Sequence, residues 1–459
     1  MRMRTRLAVY AANVILITLG SAMPVLSLLA FVLDAVCLLR FSKADSFALL
    51  FFVMPFATIF KVMVGTPSLF QFLVLLAAGI FAFRRRNFSA VRLTVLLLFV
   101  GYIAMGAIDG VAILIKFVGG FTLLYFFTED NESENTPLYA YSLTFGFLVS
   151  SFVAWFLANF SGIVTYVEVF MPYRINGVDA PRFTALYGDP NYYTVGIILS
   201  VSLLLLLYAR NRLKMLPFLV LIAPLVFFGF KTGSKSFLLL LALLCLAFFY
   251  ILVRRGNYWV VWLAGVLFVA GVVLLLSREN NPLQIILDRL LQQEEGDITT
   301  GRVGIWKTYF GYIFSDVRIL LFGAGLGSSL PTDSTHIPHS TYIDCLYYLG
   351  ICGTVLLFVL AATFLFRRRQ KERPDFANCI APVMLLLLYA FLSELYYGEI
   401  PFHLMLVWVG FLYARPKRAE KADVLPPPAL VGMKGKGDAP SPQFRPMDNP
   451  DNKSKGETV

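Results

Sequence analysis

Charged residues are scarce in this sequence, and so are the polar residues that build most catalytic sites. Asp, Glu, Lys and Arg together make up 15% of the 459 residues, histidine occurs three times, and 58% of the residues are hydrophobic. This composition excludes a soluble multidomain enzyme, because too few polar residues remain to cover its surface. The scarcity of charge therefore predicts a helical membrane protein.

The sequence also lacks the motifs that hold metals, nucleotides or disulfide frameworks. Its five cysteines lie in apolar stretches, whereas a disulfide framework or zinc site needs polar loops or clustered ligands. There is no Gly-rich phosphate loop ending in Lys-Ser/Thr, and no paired-aspartate motif for a metal–nucleotide complex. We therefore expect no metal, no cofactor and no use of nucleotide-activated substrates.

Long apolar runs recur along the chain. Runs of about 17–25 residues match the length that crosses the hydrocarbon core of a bilayer at about 1.5 Å per residue. We count about fourteen, which predicts an all-α, polytopic integral membrane protein. They are 6–22, 23–40, 45–63, 67–84, 90–107, 111–127, 138–160, 191–209, 215–231, 236–253, 258–276, 342–366, 376–396 and 400–414.

Two parts of unequal length follow from this pattern. Residues 1–414 form the predicted membrane domain. Residues 415–459 contain several prolines and glycines with scattered charge and no apolar periodicity, which predicts a disordered cytoplasmic tail.

The net charge of +11 is concentrated in alternate connections between the apolar runs. By the positive-inside rule these connections are cytoplasmic, and so are both termini. The excess positive charge therefore serves topology, and nucleic-acid binding is not expected. The basic residues are Arg2, Arg4, Arg6, Arg40, Lys43, Arg84–Arg86, Arg210, Arg212, Lys214, Arg254, Arg255, Arg367–Arg369, Lys371, Arg415, Lys417 and Arg418.

Three polar segments are then predicted on the extracytoplasmic side. They are about 161–190, the short connection 231–236 and the large loop 277–340. Lys231 and Lys235 oppose the positive-inside trend, which is strongest in short loops. These two lysines indicate either an error in the predicted topology or an anionic ligand.

A substrate at this face must already carry an activated leaving group, because no cytoplasmic loop is large enough for a nucleotide-binding domain. A lipid diphosphate does so, since it is a good leaving group whose charge Arg and Lys can stabilise. Arg182, Lys235 and Arg302, one from each segment, are candidates for this role. The acceptor hydroxyl needs a base near neutral pH, and His339, where the loop meets a helix, is the candidate.

The order and spacing of short motifs in these segments match one family. Over roughly residues 140–400 the chain resembles the O-antigen ligase and Wzy-type polymerase superfamily. The resemblance is carried by Arg182 with Gly188-Asp189-Pro190-Asn191, Gly233-Ser234-Lys235, Gly301-Arg302 with Trp306, and His339-Ser340-x-Tyr342 before Leu349-Gly350-x-x-Gly353.

The resemblance implies a C-type glycosyltransferase fold in the bacterial cytoplasmic (inner) membrane. It implies metal-independent, inverting transfer of a glycan from an undecaprenyl-diphosphate carrier to the hydroxyl of an acceptor glycan or glycolipid. Flippase and chain-length regulator proteins are the partners that such a system would have. Whether the enzyme is a polymerase or a ligase is left open by the residues.

Residue roles follow from the same resemblance. His339 corresponds to the essential histidine, and Arg302 and Arg182 to the essential arginines. Lysine at 235 stands where the family usually has arginine, so the charge is kept and the bidentate fork is lost. The expected substrate-binding residues are Lys235, Lys231, Asn191, His336 and Glu394, the last because it is ionisable inside an apolar run.

Structural roles for the same residues remain open. The histidine and arginines of the motifs can equally cap helices or form ion pairs within the loops, and His336 can be an ordinary loop residue. His403, at the end of an apolar run, is expected at the membrane interface, and Gly350 and Gly353 are expected to permit close helix packing.

Two other protein classes compete with the enzyme. A polysaccharide transporter or lipid-glycan flippase would show internal repeats and polar sites on broken helices at the bilayer midplane, and we see no convincing repeat. A non-catalytic membrane scaffold would not need ordered cationic loops that converge with a histidine.

Overall fold

A computed structural model describes most of residues 3–412. The described residues are 3–63, 65–84, 88–106, 111–129, 133–160, 167–172, 174–175, 178–179, 181–260, 262, 265–266, 269–270, 273, 302–328, 337–365, 375–393, 395 and 399–412. The predicted tail 415–459 lies outside them.

The described chain is a bundle of α-helices with no sheet core. Its helices are α1 (Met3–Gly20), α2 (Pro24–Arg40), α3 (Lys43–Val53), α4 (Leu69–Arg84), α5 (Ala90–Met105), α6 (Val111–Glu129), α7 (Thr136–Phe160), α8 (Pro190–Ala209), α9 (Met215–Lys231), α10 (Lys235–Arg254), α11 (Arg302–Ser315), α12 (Val317–Phe322), α13 (Thr341–Asp344), α14 (Gly350–Leu365), α15 (Phe376–Tyr389) and α16 (Ile400–Leu412). Short 3₁₀ turns occupy Met54–Phe56 and Ser133–Asn135, and a π-helical turn occupies Cys345–Leu349.

Among the described residues, five stretches of helix are long and apolar enough to cross a membrane. They are Val111–Glu129, Thr136–Asn159, Pro190–Ala209, Lys235–Arg254 and Thr341–Leu365. Helices over several other predicted runs are apolar but shorter, as in α4, α5, α9, α15 and α16. The prediction of a helical membrane-embedded protein is confirmed at this level.

Helix α8 lies at the centre of the bundle. It is apolar on all faces and buried along nearly its whole length, and α7, α9, α10 and α15 pack around it. The Asp189 side chain begins the helix by accepting hydrogen bonds from the backbone of Asn191 and Tyr192, and Pro190 occupies the first turn. Gly196 allows α7 to approach, since a Cβ there would lie 1.7 Å from the Phe147 ring.

A β-hairpin precedes α8. Strand β1 (Phe170–Met171) pairs antiparallel with β4 (Arg182–Phe183), and β2 (Arg174–Ile175) pairs with β3 (Val178–Asp179). All four pairs keep one register, so they belong to a single interrupted hairpin. The all-α prediction was therefore incomplete here, because strands of two residues leave no periodic signal in the sequence.

The predicted apolar run 342–366 is a broken helix. After α13, the π-helical turn ends at Gly350, whose backbone has φ 62° and ψ −174°. Gly323 has a similar conformation, with φ 79° and ψ 170°, and a Cβ added to Gly350 would lie 2.4 Å from the Gly323 nitrogen. This region of backbone space is essentially open only to glycine, so the two glycines permit the break and the close contact together.

The break leaves carbonyl groups without helical partners, and neighbouring segments supply donors. Tyr347 O accepts from Ala324 N–H at 2.7 Å, Tyr348 O from Gly325 N–H at 3.0 Å, and Leu349 O from the Tyr102 hydroxyl at 2.6 Å. Gly350 permits close contact with a neighbouring segment, as expected, and it also breaks the helix. Gly353 does allow close packing, since a Cβ there would lie 2.3 Å from the Tyr102 ring.

Ion pairs hold together the helix ends that carry the topogenic basic residues. Arg210, after α8, makes a bidentate contact of 2.8 and 2.9 Å with Asp375, which begins α15. Arg6 of α1 contacts Asp45 of α3 at 2.6 Å. We call this end of the bundle the basic end. The opposite end contains the starts of α8 and α10.

Candidate functional site

Arg182 joins the β-hairpin to the connection between α9 and α10. Its side chain is buried, and its Nε–H donates to the Thr232 carbonyl at 2.8 Å. Thr232 follows the last residue of α9, so its carbonyl is one that a helix end leaves available. Two of the predicted polar segments, 161–190 and 231–236, are therefore in direct contact.

The starts of α8 and α10 also meet. The Ser234 hydroxyl donates to Asn191 Oδ1 at 3.1 Å, and Ser234 Oγ accepts from the Phe237 N–H to begin α10. Lys235 is the next residue, with a buried ammonium nitrogen. Asn191 and Lys235 thus lie at two helix N-termini that a single hydrogen bond links, where the helix dipoles favour negative charge.

Lys231 has a different setting from Lys235. Its ammonium lies 5.8 Å from the ring centres of both Trp155 and Phe227. These contacts stabilise the cation without an anionic ligand. The structure therefore favours a structural role for Lys231 over the predicted role in substrate binding.

The connection between α15 and α16, residues 390–399, is the element on which the other predicted segments converge. Tyr192 of α8 donates its hydroxyl to the Ser393 carbonyl at 3.0 Å. The Thr341 hydroxyl of α13 donates to the Leu392 carbonyl at 2.6 Å. The Arg302 guanidinium lies 5.9 Å from the ring centre of Phe391. We refer to this segment as the 390–399 connection.

The segment before α13 is tied to α11. Trp306 donates its indole N–H to the Pro338 carbonyl at 2.7 Å, so the helix that begins with Arg302 supports the chain next to His339. His339 has φ 49°, a left-handed conformation that is uncommon outside glycine. The buried residues Ser340 and Thr341 then begin α13.

These contacts connect six elements. The hairpin contacts the α9–α10 connection, that connection contacts the start of α8, and α8, α11 and α13 all contact the 390–399 connection. The structure thus brings the segments that carry Arg182, Asn191, Lys235, Arg302 and His339 to one end of the bundle. The functional roles of these residues stay predictions.

Two buried polar residues near His339 were missed by sequence analysis. Asp344 lies in α13 with 1% of its surface exposed, and Tyr309 lies on the helix that begins with Arg302. Burial, together with the neighbouring Asp344 carboxylate, raises the pKa of Tyr309. The signal that could have identified Asp344 is the one applied to Glu394, an ionisable residue inside an apolar run.

The remaining predicted residues divide into two groups. His336 and Glu394 lie outside the described residues. His403 is buried with 2% exposure, its Nδ1 lies 3.3 Å from the Tyr389 hydroxyl, and its expected position at the membrane interface stays a prediction. Helix α16, which carries His403, packs along α15.

Among the described residues, no group of three or more His, Cys, Asp or Glu side chains is arranged to hold a metal ion. No protein-family model, curated protein or solved structure matches the chain.

Proposed function

We propose that the protein is a membrane glycosyltransferase of the O-antigen ligase and Wzy-type polymerase superfamily. It transfers a glycan from an undecaprenyl-diphosphate carrier to an acceptor sugar hydroxyl at the outer face of the cytoplasmic membrane. The observation that carries this proposal is the convergence of separate cationic segments and the His339 segment at one end of the bundle. Cations that approach from distant parts of the chain can together bind one anion through charge-assisted hydrogen bonds.

Each residue has a defined role in the proposed reaction. Arg182 and Arg302 bind the diphosphate and stabilise the charge that builds up on it as the bond between C1 of the sugar and the phosphate oxygen breaks. His339 takes the proton of the acceptor hydroxyl while that oxygen forms the new bond to C1 from the opposite face. The products are the inverted glycoside and free undecaprenyl diphosphate, which leaves with the electron pair.

The backbone around His339 supports a functional role. Left-handed φ values at non-glycine residues cost free energy and cluster at sites where the surrounding structure maintains them. The Trp306–Pro338 hydrogen bond and the Thr341–Leu392 hydrogen bond hold the chain on either side of His339. These contacts pre-organise the proposed base.

The topology proposal is a C-type fold with about fourteen spans and an extracytoplasmic site. The ion pairs of Arg6 and Arg210 lie at the basic end, while Asn191 and Lys235 lie at the other. The positive-inside rule then assigns the basic end to the cytoplasm and the candidate site to the outside.

One observation favours the competing reading as a transporter or flippase. The break at Gly350 interrupts a predicted span, and transporters use broken helices to build substrate sites. However, the carbonyls of Tyr347, Tyr348 and Leu349 accept hydrogen bonds from the protein itself. Their satisfaction favours a structural break over a transport site.

Transfer can be tested with purified protein in nanodiscs, supplied with lipid-linked oligosaccharide and acceptor from the source bacterium. We expect free undecaprenyl diphosphate and extended glycan in equal amounts, and the same rate with EDTA present. His339→Asn should reduce turnover by about 10²–10⁴-fold with donor affinity nearly unchanged, because it removes the base and asparagine tolerates the left-handed backbone.

Two results would contradict this proposal. Wild-type turnover by His339→Asn would eliminate the base. Movement of intact lipid-linked glycan across proteoliposome membranes, without release of undecaprenyl diphosphate, would identify a flippase instead.

A further inference from the structure

A buried polar pair joins α1 to α2. Asn13 of α1 donates a hydrogen bond from Nδ2 to Asp34 Oδ1 of α2 at 2.7 Å, and each residue is only 1% exposed. Asn13 Nδ2 also donates to the Val9 carbonyl at 3.1 Å. Helices α1 and α2 pack mainly on each other and on α3, α4 and α7, none of which carries a candidate-site residue. The pair is therefore a second polar site, and an ionisable residue inside an apolar run is often functional.

Two oxygens of this pair have no hydrogen-bond partner among the described residues. They are Asp34 Oδ2 and Asn13 Oδ1, and both atoms are buried. Each belongs to the same carboxyl or amide group as an atom of the existing hydrogen bond. Both oxygens are acceptors when Asp34 is ionised, so they cannot bond to each other. An ionised Asp34 therefore leaves two buried acceptors unsatisfied, which destabilises the fold.

A single proton on Asp34 satisfies both oxygens. A protonated carboxyl is a donor as well as an acceptor. Asp34 Oδ2–H can then donate to Asn13 Oδ1 while Asn13 Nδ2–H donates to Asp34 Oδ1, as it does in the structure. A carboxylic acid and a primary amide are complementary in this way and form a ring of two hydrogen bonds. The proton thus converts two unsatisfied acceptors into one donor and its acceptor.

The charged groups of the neighbouring helices lie at the basic end and not beside the pair. Arg6 of α1 is paired with Asp45 of α3, and the Arg84 side chain of α4 donates to the Phe41 carbonyl at 3.2 Å. Asp34 forms no ion pair within the described part of the chain, and burying an unpaired carboxylate is costly. On α1–α4 the charged residues besides Asp34 are Arg4, Arg6, Arg40, Lys43, Asp45 and Arg84, and the other titratable residues are Tyr10 and Cys37.

The pair lies in the middle of a closely packed hairpin of two helices. Asn13 contacts Asp34, and Gly20 contacts Ser27, whose side chain would overlap a Cβ added to Gly20. Both contacts fit one antiparallel register, because each helix advances by the same number of residues between them. Asn13 is about 10.5 Å along α1 from Gly20 at the turn and equally far from Arg6 at the basic end. Neither end of the hairpin therefore brings a charge to Asp34.

We propose that Asp34 is a proton-binding site, and that the folded protein holds a proton there in a two-bond acid–amide pair that ties α1 to α2. The proton is bonded to Asp34 Oδ2 and hydrogen-bonded to Asn13 Oδ1. Its release leaves a buried carboxylate facing the amide oxygen, which weakens the attachment of α1 to α2. A proton suits the pair better than a hard metal cation, which takes six or more oxygen ligands where the pair offers two. The site does not depend on the proposed function.

Infrared difference spectroscopy of the purified full chain at neutral pH tests for the proton directly. We expect wild type to show a carbonyl band of a protonated carboxylic acid that is missing from Asp34→Asn. The double variant Asn13→Asp/Asp34→Asn should recover the band, since it exchanges the acid and the amide between the helices. Ser27→Ala is the matched control and should keep the band, because it removes another buried hydroxyl of α2 that has no partner among the described residues. Identical spectra of wild type and Asp34→Asn would mean that Asp34 is ionised and would overturn the proposal.

Denaturant titration in detergent at several pH values tests what the proton does for the fold. Asparagine at position 34 can form the same two-bond ring without a proton, so the stability of Asp34→Asn should not depend on this site's proton. The unfolding constant of wild type relative to that of Asp34→Asn should rise about tenfold per pH unit wherever the folded protein holds the proton and the unfolded chain has lost it. Stability at this site is therefore lost as the pH rises. Ser27→Ala should follow wild type.

Three results would contradict the proposal. Parallel pH dependence of wild type and Asp34→Asn would mean that the folded protein does not retain a proton at Asp34. Asn13→Leu leaves the acid without its amide partner and should be less stable than wild type, so equal stability would remove the two-bond pair. Stability of wild type that follows the sodium concentration in place of pH, and is lost in Asp34→Asn, would identify a metal-cation site.

Discussion

Lys235 and Lys231 show how two residues of one charge, four positions apart, differ in their surroundings. Lys231 lies against Trp155 and Phe227, whereas Lys235 begins α10 beside the Ser234–Asn191 hydrogen bond. A cation at a helix N-terminus is unfavourable with respect to the helix dipole. The donor diphosphate of the proposed function would contact both Lys235 and the N-termini of α8 and α10.

This difference leads to a prediction for Lys235. Lys235→Gln should weaken donor affinity about tenfold, because it removes a charge-assisted contact to the diphosphate, and Lys235→Arg should retain donor affinity. Equilibrium binding of undecaprenyl diphosphate to purified variants measures the effect. Lys214→Gln, at the basic end, is the matched control and should bind like wild type. Equal affinity of Lys235→Gln and wild type would remove Lys235 from the site.

At the scale of the element, the broken helix before α14 depends on two glycines. Gly350→Ala should destabilise the protein by about 1–3 kcal/mol and lower activity, because its φ of 62° is strained for alanine and the new Cβ would overlap Gly323. Gly101→Ala in α5 is the control, since a Cβ there has nothing within 4 Å. Thermal unfolding in detergent compares the two variants. Equal melting temperatures would mean that the break is not needed for stability.

Sequence periodicity predicted helices well and their interruptions poorly. The predicted run 215–231 coincides with α9, whereas the run 376–396 extends beyond the end of α15 at Tyr389. Apolar composition continues through Phe391 and Leu392, so hydropathy alone does not signal that the helix has ended. The break at Gly350 is hidden for the same reason, because it depends on backbone φ and on contacts with residues far along the chain.

The part of the candidate site that could be predicted from the sequence is the part formed by polar side chains. Arg182, Arg302 and His339 stand out as polar residues in an apolar chain, and the structure places their segments together. The 390–399 connection was not predictable as their common partner. Its hydrogen bonds to Tyr192 and Thr341 use the backbone carbonyls of Ser393 and Leu392. Every residue has such a carbonyl, so the sequence does not show which ones accept these hydrogen bonds.

At the scale of the whole molecule, the proposed chemistry depends on which side of the membrane the candidate site faces. Helix α8 carries Asn191 at its start and Arg210 after its end, and its twenty residues extend about 30 Å, the thickness of the hydrocarbon core. We therefore predict that α8 crosses the bilayer and that the candidate site and the basic end lie on opposite sides of it.

Sidedness can be measured by cysteine labelling in intact cells. We expect a membrane-impermeant maleimide to label Lys307→Cys, exposed on α11, and not Arg212→Cys, exposed at the basic end, in a chain whose five native cysteines are replaced by alanine. Both should react after the membrane is permeabilised, which controls for accessibility. The reverse pattern would place His339 in the cytoplasm. A lipid diphosphate donor presented at the outer face could then not reach the site, and the reaction would need a nucleotide-activated donor, for which the sequence has no binding domain.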